Sequence, residues 1–397
     1  MEVRHHIRIA GRARAPRPVG TVVRLLGRSI LVGALALAPF AAPALAGEKP
    51  LRLPGGDVVK IDAADVAQQR PKAGAHPFAT REQRAAVRPM RWSGAESAPP
   101  RAQAAPARVP AGPAGAADGG GAPPFAEYLA RSHFPDAWEA LDAAAKAAGE
   151  PAAEPAGEKD GAHHPYVRFP GNYYTSRWQL APWNKIGKLY FTTPSGGSSY
   201  CTANVASGNS VIITAAHCVY TRGQGFNSNF VFVPADRYGV APYGSFGWSS
   251  ASVMGNWINQ GGRRWDVAVV KLAGEASTGV PVTSYVGWLG RSWNQPYSEF
   301  HYSIGYASNF STQYTTVCAG QTYSSPAEGD NVLVQGCDMT YGSSGGGWLR
   351  QFAHDSHGGN YVNAVVSGPH IGDFGQSYVG PRFASDNIVP LCNAIGC

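Results

Sequence analysis

Past Tyr166 the apolar residues of this 397-residue chain come in short bursts, and no feature limits its fold more. The runs at 188–192, 210–214, 230–233 and 267–272 are rich in Val, Ile, Tyr and Phe, with Gly, Asn, Ser and Pro between them. β-Branched and aromatic residues suit a pleated, half-buried surface, whereas a core-forming helix needs an apolar stripe over roughly ten residues or more. Between 166 and 397 no amphipathic stripe longer than two turns occurs. The spacing predicts a many-stranded all-β sandwich or barrel. Neither a heptad nor a Gly-X-Y period is present, which excludes coiled coil and collagen.

The residues before this region read differently. Arg24 and Arg28 precede an apolar run at 29–40, and small residues then lead to Ala44-Leu45-Ala46. That is the pattern of an export signal, 1–46, cleaved before Gly47. The apolar run falls short of the ~20 residues of a spanning helix, and no other segment qualifies, so no stable membrane association is expected after cleavage. Residues 47–165 form an Ala/Pro-rich propeptide or linker. Within it, 92–124 is expected to be flexible, and Phe125, Tyr128, Leu129, Trp138 and Leu141 mark a short amphipathic helix interrupted at Pro135.

The formal charge of +7 suggests nucleic acid until it is divided along the chain. Residues 1–46 hold seven Arg against Glu2, while 47–165 and 166–397 carry net charges of −1 and +2. The excess belongs to the leader, which removes the electrostatic case for DNA or RNA.

All six cysteines lie beyond residue 200. An even number behind an export signal favours disulfides, and sequence proximity suggests Cys201–Cys218, Cys318–Cys337 and Cys392–Cys397. A zinc site finds no C-x-x-C, and His163-His164 reads as a solvated pair.

Three segments carry chemistry. Ala215-Ala216-His217-Cys218 ends an apolar run in a histidine; Asp266 stands at the mouth of the apolar strand 267–272; Gly342-Ser343-Ser344-Gly345-Gly346 surrounds a serine with glycine. Each has an ordinary reading when taken alone: a packed histidine, a strand-end aspartate and a Gly/Ser loop. Their order and local contexts resemble the trypsin/chymotrypsin-like serine peptidases, more closely the bacterial secreted branch that includes the glutamyl endopeptidases. The resemblance covers roughly 180–397.

The resemblance implies two packed six-stranded antiparallel β-barrels (chymotrypsin-like), placed at 166–397, and a secreted (extracellular or periplasmic) serine endopeptidase acting on protein or peptide substrates as a monomer. His217 is then the general base, Asp266 its orienter and Ser344 the nucleophile, with the N–H groups of Gly342 and Ser344 as the oxyanion hole. No cofactor is implied and no metal.

Ser343 stands where the animal digestive members have an aspartate, and no I-V-G-G-like N-terminus is present, so activation by N-terminal insertion is not expected. Gly347 replaces the more usual proline. Six residues before Ser344, Asp338 matches the base of a pocket for Arg or Lys, or is a structural carboxylate. Ser367 falls on a segment resembling the pocket-lining strand, and His370 offers a site for an acidic side chain. These readings of Asp338 and His370 oppose each other and leave the substrate open.

Two other readings fit parts of the pattern. An esterase or lipase would use G-x-S-x-G with Asp355 and His370, and it requires strand–turn–helix at the serine. A catalytically inert protease-like binding module would keep the fold and lose nothing on Ser344→Ala.

Overall fold

A computed structural model describes residues 49–397 apart from 54–55, 70–76, 93–113, 118, 124–125, 149–156, 162–163, 172–176, 326 and 372. From 49 to 170 the chain contributes six strands: β1 (Lys49–Leu53), β2 (Gly56–Asp62), β3 (Arg88–Pro89), β4 (Gly115–Ala117), β5 (Gly157–Gly161) and β6 (His164–Pro170). A meander follows in β7 (Ile186–Thr192), β8 (Ser198–Val205) and β9 (Val211–Thr214). After the small hairpin of β10 (Tyr220–Thr221) and β11 (Gly225–Phe226) come β12 (Ser228–Pro234), β13 (Phe246–Met254) and β14 (Ala268–Glu275). Hydrogen bonding runs β12-β7-β8-β9-β14-β13 and returns from β13 to β12, closing a six-stranded antiparallel barrel.

The remaining strands are β15 (Gly290–Trp293), β16 (Phe300–Gly305), β17 (Thr316–Ser324), β18 (Val332–Gly336), β19 (Gly347–Arg350), β20 (Tyr361–Val365), β21 (Gly368–His370) and β22 (Asp373–Pro381). They build a second sheet in the order β22-β18-β17-β16-β19-β20. It curls until the chain leaving β20 meets β22: the Ser367 N–H donates to the Val379 carbonyl at 2.9 Å, and Gly368 pairs with Val379. The helix Ile388–Ile395 then returns to pack on β13 and β14 of the first barrel. Its residues Ile388, Leu391 and Ile395 join the core at helical spacing, and Asn387 caps it by accepting from the Ile388 N–H.

Strand periodicity explains how the short runs fill both faces. Leu189 and Phe191 of β7 enter the main core, while Tyr190 on the opposite face meets Tyr200 and Tyr306. Lys188 shares that second face. Its Nζ lies 3.0 Å from Asp236, which also accepts from the Tyr190 hydroxyl at 2.8 Å, so the buried charge is paired. All three neighbouring cysteine pairs are disulfide-bonded.

The region read as a propeptide or linker, 47–165, contributes strands and helices where it is described. Residues 93–113 of the stretch read as flexible, and the leader 1–46, lie outside the described residues, but much of the rest is built into the sheets. β2 pairs with Ser250–Met254 of β13, β4 with β15, and β6 with Thr316–Gly320 of β17. Strand addition uses backbone N–H and C=O groups, to which an Ala/Pro/Gly composition is no barrier except at proline itself. Val58, Ile61, Phe78, Trp138 and Leu141 from this region are buried. The amphipathic segment forms two helices, Ala126–His133 and Pro135–Ala148, separated by Phe134. Of the pair read as solvated, His163 lies outside the described residues, and His164 is half-buried in β6 and stacks on Tyr323 at 4.8 Å. Among the described residues no helix is long and apolar enough to cross a membrane.

Candidate active site

β9 is apolar and fully buried, and it ends in two alanines small enough to let the chain turn sharply. The turn Ala216–Cys218 carries His217 and is fastened on both sides. Cys218 is bridged to Cys201 on β8, and the Asn227 side chain donates to the Cys218 carbonyl at 2.8 Å. Asp266 leaves a second tight turn, Arg263–Trp265, immediately before β14.

The two side chains meet in the interior. Asp266 is fully buried and accepts the His217 backbone N–H on Oδ1 and His217 Nδ1 on Oδ2, both at 2.9 Å. Its Oδ2 also accepts the Ser367 hydroxyl. Burial alone would push this carboxyl up; the His217 ring and the hydrogen bonds from His217 and Ser367 outweigh it and hold the group below the usual carboxylate range. An ionised carboxylate only accepts, so the ring proton is on Nδ1 and neutral His217 keeps the Nε2 lone pair as its acceptor.

Ser344 sits in the glycine-rich loop before β19 and is fully buried. Two residues of β8 hold that loop. Thr202 donates its N–H to the Ser344 carbonyl and its hydroxyl to the Gly342 carbonyl, each at 2.8 Å. Asn204 donates to the carbonyls of Gly345 and Ile213 and accepts the Gly347 N–H. Gly345 has φ +78°, and a Cβ there would stand 2.0 Å from Thr214 Oγ1, so the loop lies directly on the end of the strand that leads to His217. Sequence reasoning missed Thr202 and Asn204. The available signal was polar residues alternating with small apolar ones in 201–205, all fully buried.

The Ser344 hydroxyl oxygen accepts a hydrogen bond at 3.0 Å from the indole Nε1 of Trp92, a residue of the upstream region. The Trp92 ring lies against Tyr341 at 5.0 Å. Ser343 donates its hydroxyl to the Thr340 carbonyl at 2.6 Å.

The expected pocket residues are occupied by partners of the chain itself. Asp338 forms an ion pair with Arg168 of β6 at 3.2 Å, and the Arg168 guanidinium stands 3.8 Å from the centre of the Phe310 ring. His370 Nε2 lies 3.0 Å from Ser325 Oγ. Ser367, expected in the pocket wall, commits its hydroxyl proton to Asp266 and accepts from Arg263 Nη1 at 3.2 Å. The strand–turn–helix that an esterase requires is not found at Ser344, which is followed by β19.

No family model matches the chain. By sequence it is 27% identical over 110 residues to an extracellular metalloprotease of Bacillus subtilis (strain 168), a match covering 28% of this chain. The chain spans about a third of the length of that curated relative. By structure it is similar to the protease Anisep from Arthrobacter nicotinovorans (29% identity, TM-score 0.47), with 53% of this chain and 95% of that one covered. It is similar also to the thermostable serine protease AL20 from an extremophilic microorganism (28% identity, TM-score 0.48, covering 53% and 97%). A Glu endopeptidase shares 22% identity with a TM-score of 0.46, covering 59% of this chain and 96% of that chain. The fold is all-β, a closed six-stranded antiparallel barrel followed by a second, curled β-sheet.

The three structures and the one curated relative named above all carry protease names, and that of the curated relative is a metalloprotease. Among the described residues, Cys201, His217 and Cys218 converge in one place, and Cys318, Cys337 and Asp338 in another. Both sets contain a disulfide, whose sulfurs are not the thiolates that a metal binds.

Proposed function

We propose that the chain is a secreted serine endopeptidase that hydrolyses peptide bonds through an acyl-enzyme formed on Ser344. The observation that carries this reading is the buried Asp266 carboxylate, which takes both the backbone N–H and the Nδ1–H of His217. Those two bonds orient the ring and set its tautomer, so that Nε2 can take a proton.

A serine hydroxyl is a weak nucleophile until a base removes its proton during attack. His217 Nε2 takes the proton of Ser344 as Oγ adds to the substrate carbonyl carbon, and Asp266 stabilises the imidazolium that forms. The oxyanion is received by the N–H groups of Gly342 and Ser344, which donate to no acceptor among the described residues. His217 returns the proton to the leaving amine, and a water then attacks the acyl-enzyme by the same route in reverse. The Thr202 and Asn204 bonds hold the loop in position during both steps.

Asp338 is read as a structural carboxylate, because its charge is answered by Arg168 from within the chain. This disfavours a preference for Arg or Lys.

The test is prolonged treatment of the full chain with a sulfonyl fluoride, followed by peptide mapping. One adduct on Ser344 that disappears in His217→Ala is the expected result. Absence of an adduct both in the native chain and in a folded variant lacking the Trp92 indole would overturn the reading.

A further inference from the structure

The hydrogen bond from Trp92 to Ser344 ends a segment that is fastened along its whole length. Phe78 is buried and stacks on Tyr190 of the first barrel at 5.7 Å. A short helix, Arg81–Ala85, follows with a reciprocal capping box between Thr80 and Gln83. Its Arg84 is buried and donates to the carbonyls of Phe78, Ala79 and Gly239, while Arg81 donates to the Tyr238 carbonyl. The chain then lies beside β8: Arg88 and Pro89 pair in parallel with Ser199 and Tyr200, and the Met90 N–H donates to the Tyr200 carbonyl at 2.9 Å. Two residues later the indole reaches Ser344, with Trp92 and the Arg91 guanidinium both against the Tyr341 ring.

The chemistry at the end of this segment is that of a blocker. A substrate must bring a carbonyl carbon to Oγ and a carbonyl oxygen to the oxyanion N–H groups. Residues 77–92 bring a side-chain N–H donor to Oγ instead, engaging the lone pair that has to attack. No carbonyl of the segment accepts from the Gly342 or Ser344 N–H. The segment therefore lies in the cleft without presenting a bond to cut.

We propose that residues 77–92 are an inhibitory strap and that Trp92 holds Ser344 in an unreactive state within the full chain. This rests on the serine-peptidase reading above. The strap acts in cis, so its local concentration is set by its anchors at Phe78 and Arg84 rather than by the amount of protein.

The experiment compares rates of Ser344 acylation by a sulfonyl fluoride in the full chain and in two full-length variants. Trp92→Ala removes the indole. Met90→Pro removes the N–H bonded to Tyr200, together with a side chain that packs against the core, and leaves Trp92 and Ser344 unaltered. Thermal unfolding checks that each is folded, and Met90→Pro keeps the test open if Trp92→Ala does not fold. Each variant is expected to label about tenfold faster or more, since about 1.4 kcal/mol of lost strap contact is one decade in occupancy. Equal, His217-dependent rates in all three chains would overturn the strap and leave the peptidase reading standing. No labelling in any of them, with the variants folded, would overturn both.

Discussion

Arg263 Nη1 donates to the Ser367 hydroxyl oxygen at 3.2 Å, and this decides where the hydroxyl's own proton goes. A guanidinium cannot accept, so Ser367 receives from Arg263 and gives its proton to Asp266. Arg263 is held in turn by the Pro369 carbonyl and lies 3.8 Å from the buried Glu328 carboxylate. Gly368 makes room for it, because a Cβ there would fall 2.4 Å from Nη1.

Ser367→Ala is therefore expected to slow Ser344 acylation by about 10- to 100-fold, the range of a lost hydrogen bond to a charged group. Arg263→Lys should cost less, since an ammonium keeps the charge and loses the fork. Both are best measured in a Trp92→Ala background. Unchanged rates would remove Arg263 and Ser367 from the positioning of Asp266.

Asn204→Ala leaves the Gly345 carbonyl and the Gly347 N–H without the partner that ties them to β8. A loss of about 1–3 kcal/mol in urea unfolding is expected for each buried group so exposed, with acylation slowed because Ser344 immediately precedes Gly345. Full stability together with full reactivity would mean that β8 does not hold the loop.

Asp338→Asn should leave the cleavage preference of the activated chain unaltered and lower its melting temperature, because the carboxylate answers Arg168 rather than a substrate. A peptide-library profile that lost Arg or Lys on this substitution would reverse the assignment.

His301 provides a pH test of the second sheet. It is fully buried, with Nδ1 directed at the Glu299 carbonyl at 3.2 Å and Nε2 next to Asn363 Nδ2 at 3.1 Å. Burial, against that carbonyl and with a smaller push from Arg350, moves its pKa from 6.5 down to about 4. Between those values the unfolded chain binds a proton that the folded chain refuses. Stability should therefore fall as pH drops from 6.5 toward 4, by up to about 3 kcal/mol, and His301 should contribute no slope above that interval. His301→Gln should flatten this part of the profile when urea midpoints at about pH 7 and about pH 4.5 are compared with those of the native chain.

How much of this was legible beforehand depends on what each residue needs. His217, Asp266 and Ser344 each sit in a short sequence that the local turn requires: small residues ahead of the histidine, an apolar strand behind the aspartate, glycines around the serine. Their order and contexts resemble the serine peptidases, and the contact between His217 and Asp266 that this resemblance implies is present. Thr202 and Asn204 are ordinary polar residues in a strand, and only the packing of one loop on β8 gives them work. The strands before residue 170 were illegible for another reason. Pairing to a sheet edge is done by backbone, and a composition rich in Ala, Pro and Gly reports only that a segment cannot form a core of its own. Trp92 fell at the start of the stretch read as flexible, and Phe78 carried no reading at all.

The register of the added strands has a practical consequence. β13 pairs with β12 only at 246–247, and β17 pairs with β18 only at 322–324; β2 and β6 take up the other halves of those strands, at Ser250–Met254 and Thr316–Gly320. A chain cut back to 166–397 would bare the first of these and, without β4, the edge of β15 as well. Uncovered strand edges recruit strands from neighbouring molecules. Self-association of such a truncated chain would then report missing sheet partners, and its aggregation would say nothing about how the intact protein assembles.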